Sequence, residues 1–241
     1  MKIYAMTVKG EHTKNEDTVM INGKIIKDGF HLLDVNEVLA CIADGVGGNK
    51  AGDIASEFVC SEISKLEELT RESIYKINEK LIALSQSNEN LRKMATTLSL
   101  ITISKEKNIL IHIGNTRIGV FQSTYLKQIT EDHTTVNWLV KTGQITKKES
   151  IDYDKKNEIT ACLGGGNPAL INSLVFEDKI ESITKVHRIV ITSDGIHDYV
   201  SDDDIEDIIS NNELEEACKQ IIDTATLNGS MDDKSIIIID R

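Results

Sequence analysis

TTLSLITISKEKNILIHIGNTRIGVFQ, residues 96–122, decides the fold class. It holds three β-branched runs, at 96–104, 109–113 and 118–122, separated by KEKN and GNTR. Short Ile/Val/Thr-rich runs bounded by Gly, Asn and charged residues read as strands. Parallel neighbours need a crossover of about a dozen residues, so these tight links predict three consecutive antiparallel neighbours. Further strands are expected at VLACIA (38–43), HRIVIT (187–192) and SIIIID (235–240).

Helical spacing of apolar residues flanks this block. Ala51, Ile54, Ala55, Phe58, Val59, Ile63 and Leu66 form one stripe, and Ile74, Ile77, Leu81 and Leu84 a second. Leu214, Ala217, Cys218, Ile221, Ile222 and Ala225 form a third, after a shorter helix around Ile205, Ile208 and Ile209. Strands that run together with helices in pairs predict an α+β fold, two antiparallel sheets flanked by helix pairs, and not a doubly wound parallel sheet. Residues 130–166 are weakly patterned, with one short helix near 135–141. They read as an inserted, mobile surface segment, with Trp138 expected to pin that helix to the body.

The chain has 241 residues, 39 acidic and 27 basic, for a formal net charge of −12. With 40% hydrophobic and 27% charged residues it is globular, and long enough to bury a core without metal or disulfide staples. The acidic balance argues against nucleic acid as a partner, because phosphate neutralisation needs basic patches. No apolar run approaches the roughly 18 residues of a membrane helix. The N-terminus turns polar at Lys9, too early for a secretory signal, so a cytoplasmic location is expected. Cys41, Cys60, Cys162 and Cys218 form no C-x-x-C pair and read as small buried apolar residues. With one proline, no repeat and no low-complexity tract, residues 1–241 read as a single domain.

Acidic residues stand at four strand edges. Asp44-Gly45 follows residues 38–43, and Asp194-Gly195 follows 189–192. Asp232-Asp233 precedes the last strand, and Glu16-Asp17 precedes the apolar run 18–21. A rigid sheet can aim such side chains into one cleft. Converging carboxylates repel and resist ionisation, and an all-oxygen donor set suits Mg²⁺, Mn²⁺ or Ca²⁺ better than Zn²⁺. Gly45 leaves its carbonyl free to approach such an ion. Taken singly, a D-G after a strand reads as a turn, and an acid pair such as Asp232-Asp233 as a solvated one.

Together, NED (15–17), ADGVGG (43–48), Thr96-Thr97, IGNTR (113–117), TEDHT (130–134), TSDGIHD (192–198) and DDKSIIII (232–239) resemble the metal-dependent protein phosphatases of type 2C, in the bacterial form. The motifs keep the family's order and span nearly the whole chain. The resemblance implies a four-layer α-β-β-α sandwich and hydrolysis of phosphoserine and phosphothreonine. The implied cofactors are two divalent cations, Mn²⁺ or Mg²⁺, whose bridging hydroxide attacks phosphorus directly.

By position, Asp44 corresponds to the bridging ligand, Gly45 to the carbonyl ligand, and Asp194 and Asp232 to the remaining direct carboxylates. Glu16 and Asp17 correspond to residues that hold metal-bound waters. Asp53 reads as structural, and residues 130–166 as the flap beside the cleft, with TACLGGG (160–166) its returning edge. The resemblance also implies a phosphoprotein substrate, the product of a serine/threonine kinase, for a monomeric enzyme.

Three departures stand out. His12 occupies the place of an arginine that grips substrate phosphate, with Lys9 or Lys14 as substitutes lacking a planar fork. Asn115 replaces an aspartate tied to a third, weaker metal, for which Asp198 is retained. Val46 follows the first D-G where many eukaryotic members carry a histidine. Two other readings stand beside this one: a phosphoprotein-binding module of the same fold without activity, motivated by His12 and Asn115, and a phosphatase of a small metabolite.

Overall fold

A computed structural model of the protein describes residues 1–46, 51–155, 157–178, 180, 183 and 186–241. Gly47 and Gly48 of ADGVGG, with Asn49 and Lys50, lie outside the described residues. The first half contains strands β1 (Lys2–Val8), β2 (Asp17–Ile21), β3 (Lys24–Ile26), β4 (Gly29–Asp34) and β5 (Val38–Asp44), then helices α1 (Gly52–Ile63) and α2 (Arg71–Ser87). Strands β6 (Ala95–Thr96), β7 (Leu98–Ile103), β8 (Asn108–Ile113), β9 (Arg117–Gln122) and β10 (Tyr125–Gln128) follow. Next come α3 (Thr135–Lys141), α4 (Lys147–Ile151), β11 (Leu163–Gly164), β12 (Val175–Asp178) and β13 (Arg188–Thr192). The chain closes with α5 (Asp194–His197), α6 (Asp202–Asn211), α7 (Leu214–Leu227) and β14 (Lys234–Asp240).

Two six-stranded sheets, ordered β10-β9-β13-β14-β1-β4 and β12-β8-β7-β5-β2-β3, carry the fold. All pairings between their strands are antiparallel. The central strands read as continuous apolar runs because both of their faces are covered. In β14, Ile237 and Ile239 enter the core between the sheets, while Ile236 and Ile238 enter the core under α6 and α7. In β5, Ala40 and Ile42 face the other sheet, while Cys41 and Ala43 pack under α1 and α2. Three apolar layers thus separate four layers of secondary structure, the α+β sandwich expected from the element order. All four cysteines are buried and unbridged.

The expectation for residues 96–122 holds for one link and fails for the other. β7 and β8 pair from Leu98↔Ile113 to Ile103↔Asn108. β9 leaves β8 altogether and pairs with β13 and β10 in the opposite sheet. Stacked sheets lie about 10 Å apart, a gap that a few extended residues span, so a short link need not be a hairpin.

Other differences are smaller. β1 was not among the expected strands, although KIYAMTV alternates buried and partly exposed positions after its first residue. His31 belongs to β4, a strand that was also not expected. The flap segment has a second helix, α4, beyond the one expected. Trp138 is 55% exposed and not packed into the core as expected. The flap helix is held instead by polar groups: Thr134 caps it, and Asn137 donates to the Asp132 carbonyl at 2.8 Å. The three glycines of TACLGGG all take positive φ, as a turn requires. No helix of the described residues is long and apolar enough to cross a membrane.

Candidate metal centre

The acidic corners meet where the ends of both sheets approach each other. Asp17 and Asp44 are direct cross-strand partners on β2 and β5. The Asp44 backbone is clamped by the threonine pair. Its carbonyl accepts from the Thr97 N–H and the Thr96 hydroxyl, both at 2.8 Å, and its N–H donates to Thr97 Oγ1 at 3.1 Å. Gly45 N–H donates to the Glu16 carbonyl at 3.1 Å, fastening the two acidic motifs together. A Cβ on Gly45 would lie 2.4 Å from the Gly52 backbone, so the glycine is needed first for the approach of α1.

From the other sheet, β13 delivers Asp194 to the start of α5, while Asp232 sits just ahead of β14. Ser193 and Ser235 tie these ends together, through Ser193 N–H to the Ser235 carbonyl (3.0 Å) and Ser235 N–H to Ser193 Oγ (2.9 Å). A Cβ on Gly195 would fall 2.0 Å from the Asp233 carbonyl oxygen, so only glycine lets α5 rest on the Asp232-Asp233 turn. The buried Lys234 ammonium donates to the Asp232 carbonyl at 2.7 Å, bracing that turn from beneath.

Burial and mutual repulsion dominate the electrostatics. Asp44 is held well above the usual carboxylate range, first by burial and then by the charges of Asp194, Asp17 and Asp232; it shares a hydrogen bond with Asp194. Burial, then Asp232 and Asp198, push Asp194 up to about 7, against a hydrogen bond from Asn115. Asp17 is also pushed up to about 7, mainly by burial. Burial raises Glu16 as well. Within this cluster, Oδ2 of Asp17 and Oδ1 of Asn115 are buried and have no hydrogen-bond partner among the described residues. Unpartnered buried oxygens in a cluster of carboxylates that cannot all ionise are what a hard divalent cation satisfies. The residues fit such a group.

The remaining expected residues fall around this cluster. Asn115 donates from Nδ2 to Asp194 Oδ2 at 2.8 Å, and Asp198 lies one turn beyond Asp194, its N–H on the Asp194 carbonyl. His12 Nδ1 lies 3.7 Å from Asp232 Oδ1. Lys9 and Lys14 do not replace it: Lys9 Nζ donates to the His12 carbonyl at 2.6 Å, and Lys14 pairs with Asp53 at 2.8 Å. That pair gives Asp53 its structural role. His112 is buried with both ring nitrogens engaged, by Ser99 and the Glu131 carbonyl, and burial pushes it down to about 4.

Asp233 corrects the sequence reading. Taken as half of a solvated pair, it is 2% exposed. Sequence reasoning also assigned nothing to Ser193 or Lys234. The one available signal was their position beside acidic motifs, because burial depends on the opposite sheet.

The profile described as protein phosphatase 2C matches residues 19–231. The chain belongs to this family. It is 31% identical over 177 residues to the protein phosphatase PhpP of Streptococcus pneumoniae, covering 68% of each chain. It is 27% identical over 220 residues to the serine/threonine phosphatase stp of Listeria welshimeri, covering 86% of this chain and 85% of that one. Among solved structures, the serine/threonine phosphatase Stp1 of Staphylococcus aureus superposes with a TM-score of 0.83 at 28% identity, over 99% of this chain and 94% of that one. The serine/threonine phosphatase PstP/Ppp of Mycobacterium tuberculosis gives 0.81 at 25% identity over the whole of both chains. The protein is thus a phosphatase of the 2C family by sequence and by fold.

Proposed function

We propose that this protein hydrolyses phosphoserine and phosphothreonine in a phosphoprotein, using two divalent cations held by Asp44, Asp194, Asp232 and the Gly45 carbonyl. The observation that carries the reading is the meeting of acids from both sheets around buried oxygens that have no partner among the described residues. When bound, the cations supply an acidified water and positive charge for the phosphoryl oxygens. Asp44, which feels the charges of Asp194, Asp17 and Asp232, would be the carboxylate common to both cations. Glu16 and Asp17 would accept hydrogen bonds from water in the cluster, and Asn115 fixes the carboxylate of Asp194. His12, beside Asp232, supplies the cationic or hydrogen-bonding contact to the phosphoryl group.

A cleft of about 420 Å³ runs from Asn115 and Asp198 to Val136, Val140, Lys147 and Ile151 of the flap. It gives a peptide chain room beside the reacting phosphate, which favours a protein substrate over a small metabolite. Retention of every acidic corner favours catalysis over a silent phosphoprotein-binding module. The Asp194→Asn variant should lose more than about 100-fold of Mn²⁺-dependent p-nitrophenyl phosphate hydrolysis, since even outer residues of such sites cost about 10–100-fold. Its Mn²⁺ affinity by calorimetry should fall with it, while circular dichroism stays as in the wild type. Undiminished turnover removes Asp194 from the site, and a wild-type protein that binds no Mn²⁺ supports the silent module.

A further inference from the structure

Asp233 occupies a different position from the acids around it. Its carboxylate is buried and closes a loop of the chain on itself. Oδ1 accepts the Gly10 N–H at 2.7 Å, Oδ2 accepts the Glu16 N–H at 2.6 Å, and His12 Nδ1 lies 3.3 Å from Oδ2. The loop of residues 10–16 is therefore wrapped around one side chain that arrives from the far end of the sequence. Two more bonds hold its shape: Glu11 N–H to the Met231 carbonyl at 2.8 Å, and Lys9 Nζ to the His12 carbonyl at 2.6 Å.

His12, Asp232 and Asp233 offer possible ligand atoms within 4.8 Å of one another. A cation there would have to compete with two backbone N–H groups already on the Asp233 oxygens. The same geometry suits an orienting role. Both Asp233 oxygens act as acceptors, so the adjacent His12 nitrogen is a donor. Nδ1 then carries its hydrogen toward Asp233, and Nε2 becomes the outward nitrogen on a 44% exposed side chain. Among the described residues Nε2 makes no hydrogen bond.

We propose that Asp233 is a positioning residue: it fixes the loop of residues 10–16 and the ring of His12 so that Nε2 is presented to the phosphoryl oxygens of the substrate beside Asp232. A guanidinium brings its own planar fork, whereas an imidazole has to be aimed, and a carboxylate on the opposite ring nitrogen aims it. An asparagine at 233 has a single acceptor oxygen and would set its NH₂ against one of the two loop N–H groups.

The inference rests on the phosphatase reading, and a double-mutant cycle separates the two. Steady-state kinetics use a phosphothreonine peptide with saturating Mn²⁺ and wild type, His12→Ala, Asp233→Asn and the double variant. Each single change should raise KM about 10-fold with kcat within about 2-fold, and weaken inhibition by inorganic phosphate to the same degree. The double variant should be no worse than the poorer single one, because both remove the same contact. Additive effects, or an Asp233→Asn variant with altered kcat and unchanged KM, overturn the proposal.

If Asp233→Asn does not fold, His12→Asn decides. Its amide nitrogen takes the place of Nδ1 and keeps the contact to Asp233, while the outward nitrogen is gone. KM should then rise as in His12→Ala, and a wild-type KM overturns the proposal. A wild-type protein that shows no metal-dependent hydrolysis of the peptide defeats the phosphatase reading itself, and the positioning role with it.

Discussion

Two links of similar length, one on either side of β8, do opposite things. Residues 104–107 make an ordinary hairpin: Ser104 N–H donates to the Lys107 carbonyl at 2.9 Å, and Lys105, Glu106 and Lys107 are exposed. Residues 114–116 are buried and carry the chain across the sandwich. There Gly114 takes φ +104, its carbonyl accepts the His133 N–H at 2.8 Å, Thr116 Oγ1 donates to Ser99 Oγ at 2.8 Å, and Asn115 reaches Asp194. A hairpin meets its backbone needs locally and leaves its side chains in water. A crossing between sheets buries its polar groups and draws their partners from both sides, here Ser99, His133 and Asp194, and so it becomes part of the site.

Substitutions can break that contrast. The largest effect is expected at Gly114→Ala, whose Cβ would lie 2.5 Å from the Thr97 side chain at a backbone angle that side chains disfavour. Strain and overpacking together should cost about 2–5 kcal/mol in chemical denaturation. A loss below about 1 kcal/mol would show that the crossing is not tightly packed. Asn115→Ala should lower hydrolysis about 10–100-fold by freeing Asp194, with a far smaller change in stability. Unaltered kinetics would make the crossing purely structural.

A pH series on metal-free protein sharpens the picture next. Asp17 and Asp194, both pushed up to about 7, bind protons in the folded state that they have released in the unfolded chain above about pH 4. Stability from these groups is complete below the unfolded value and is lost as pH rises from about 4 to about 7. The thermal midpoint of the metal-free protein should therefore carry a falling contribution across that window, and saturating Mn²⁺ should remove it. The same slope with and without Mn²⁺ would separate those carboxyls from the metal. The smallest effect belongs to the hairpin, where Glu106→Ala should change stability by no more than about 0.5 kcal/mol and leave activity alone. A measurable loss of activity there would erase the distinction between the links.

Much of the fold could be read from local pattern. Continuous Ile runs such as 236–239 marked strands covered on both faces, and the stripes at Ala55/Val59/Ile63 and Ala217/Ile221 marked helices with one face buried. The strand β1 escaped because its alternation is modest and half of it is partly exposed. Within the site, Asp44, Asp194, Asp17 and Asn115 were legible because each stands in a motif at a strand end. Asp233 was not, since an acid pair ahead of a strand carries no mark of its depth.

Local pattern was enough for most strands and helices, for their alternation, and for the acids at their ends, because those properties depend on neighbours a few residues away. That β9 joins the other sheet, that Trp138 stays outside, and that Asp233 is buried between Gly10, His12 and Glu16 came from the packed fold alone. Those outcomes depend on contacts across the sandwich, where desolvation and pairing of polar groups are settled between residues far apart along the chain.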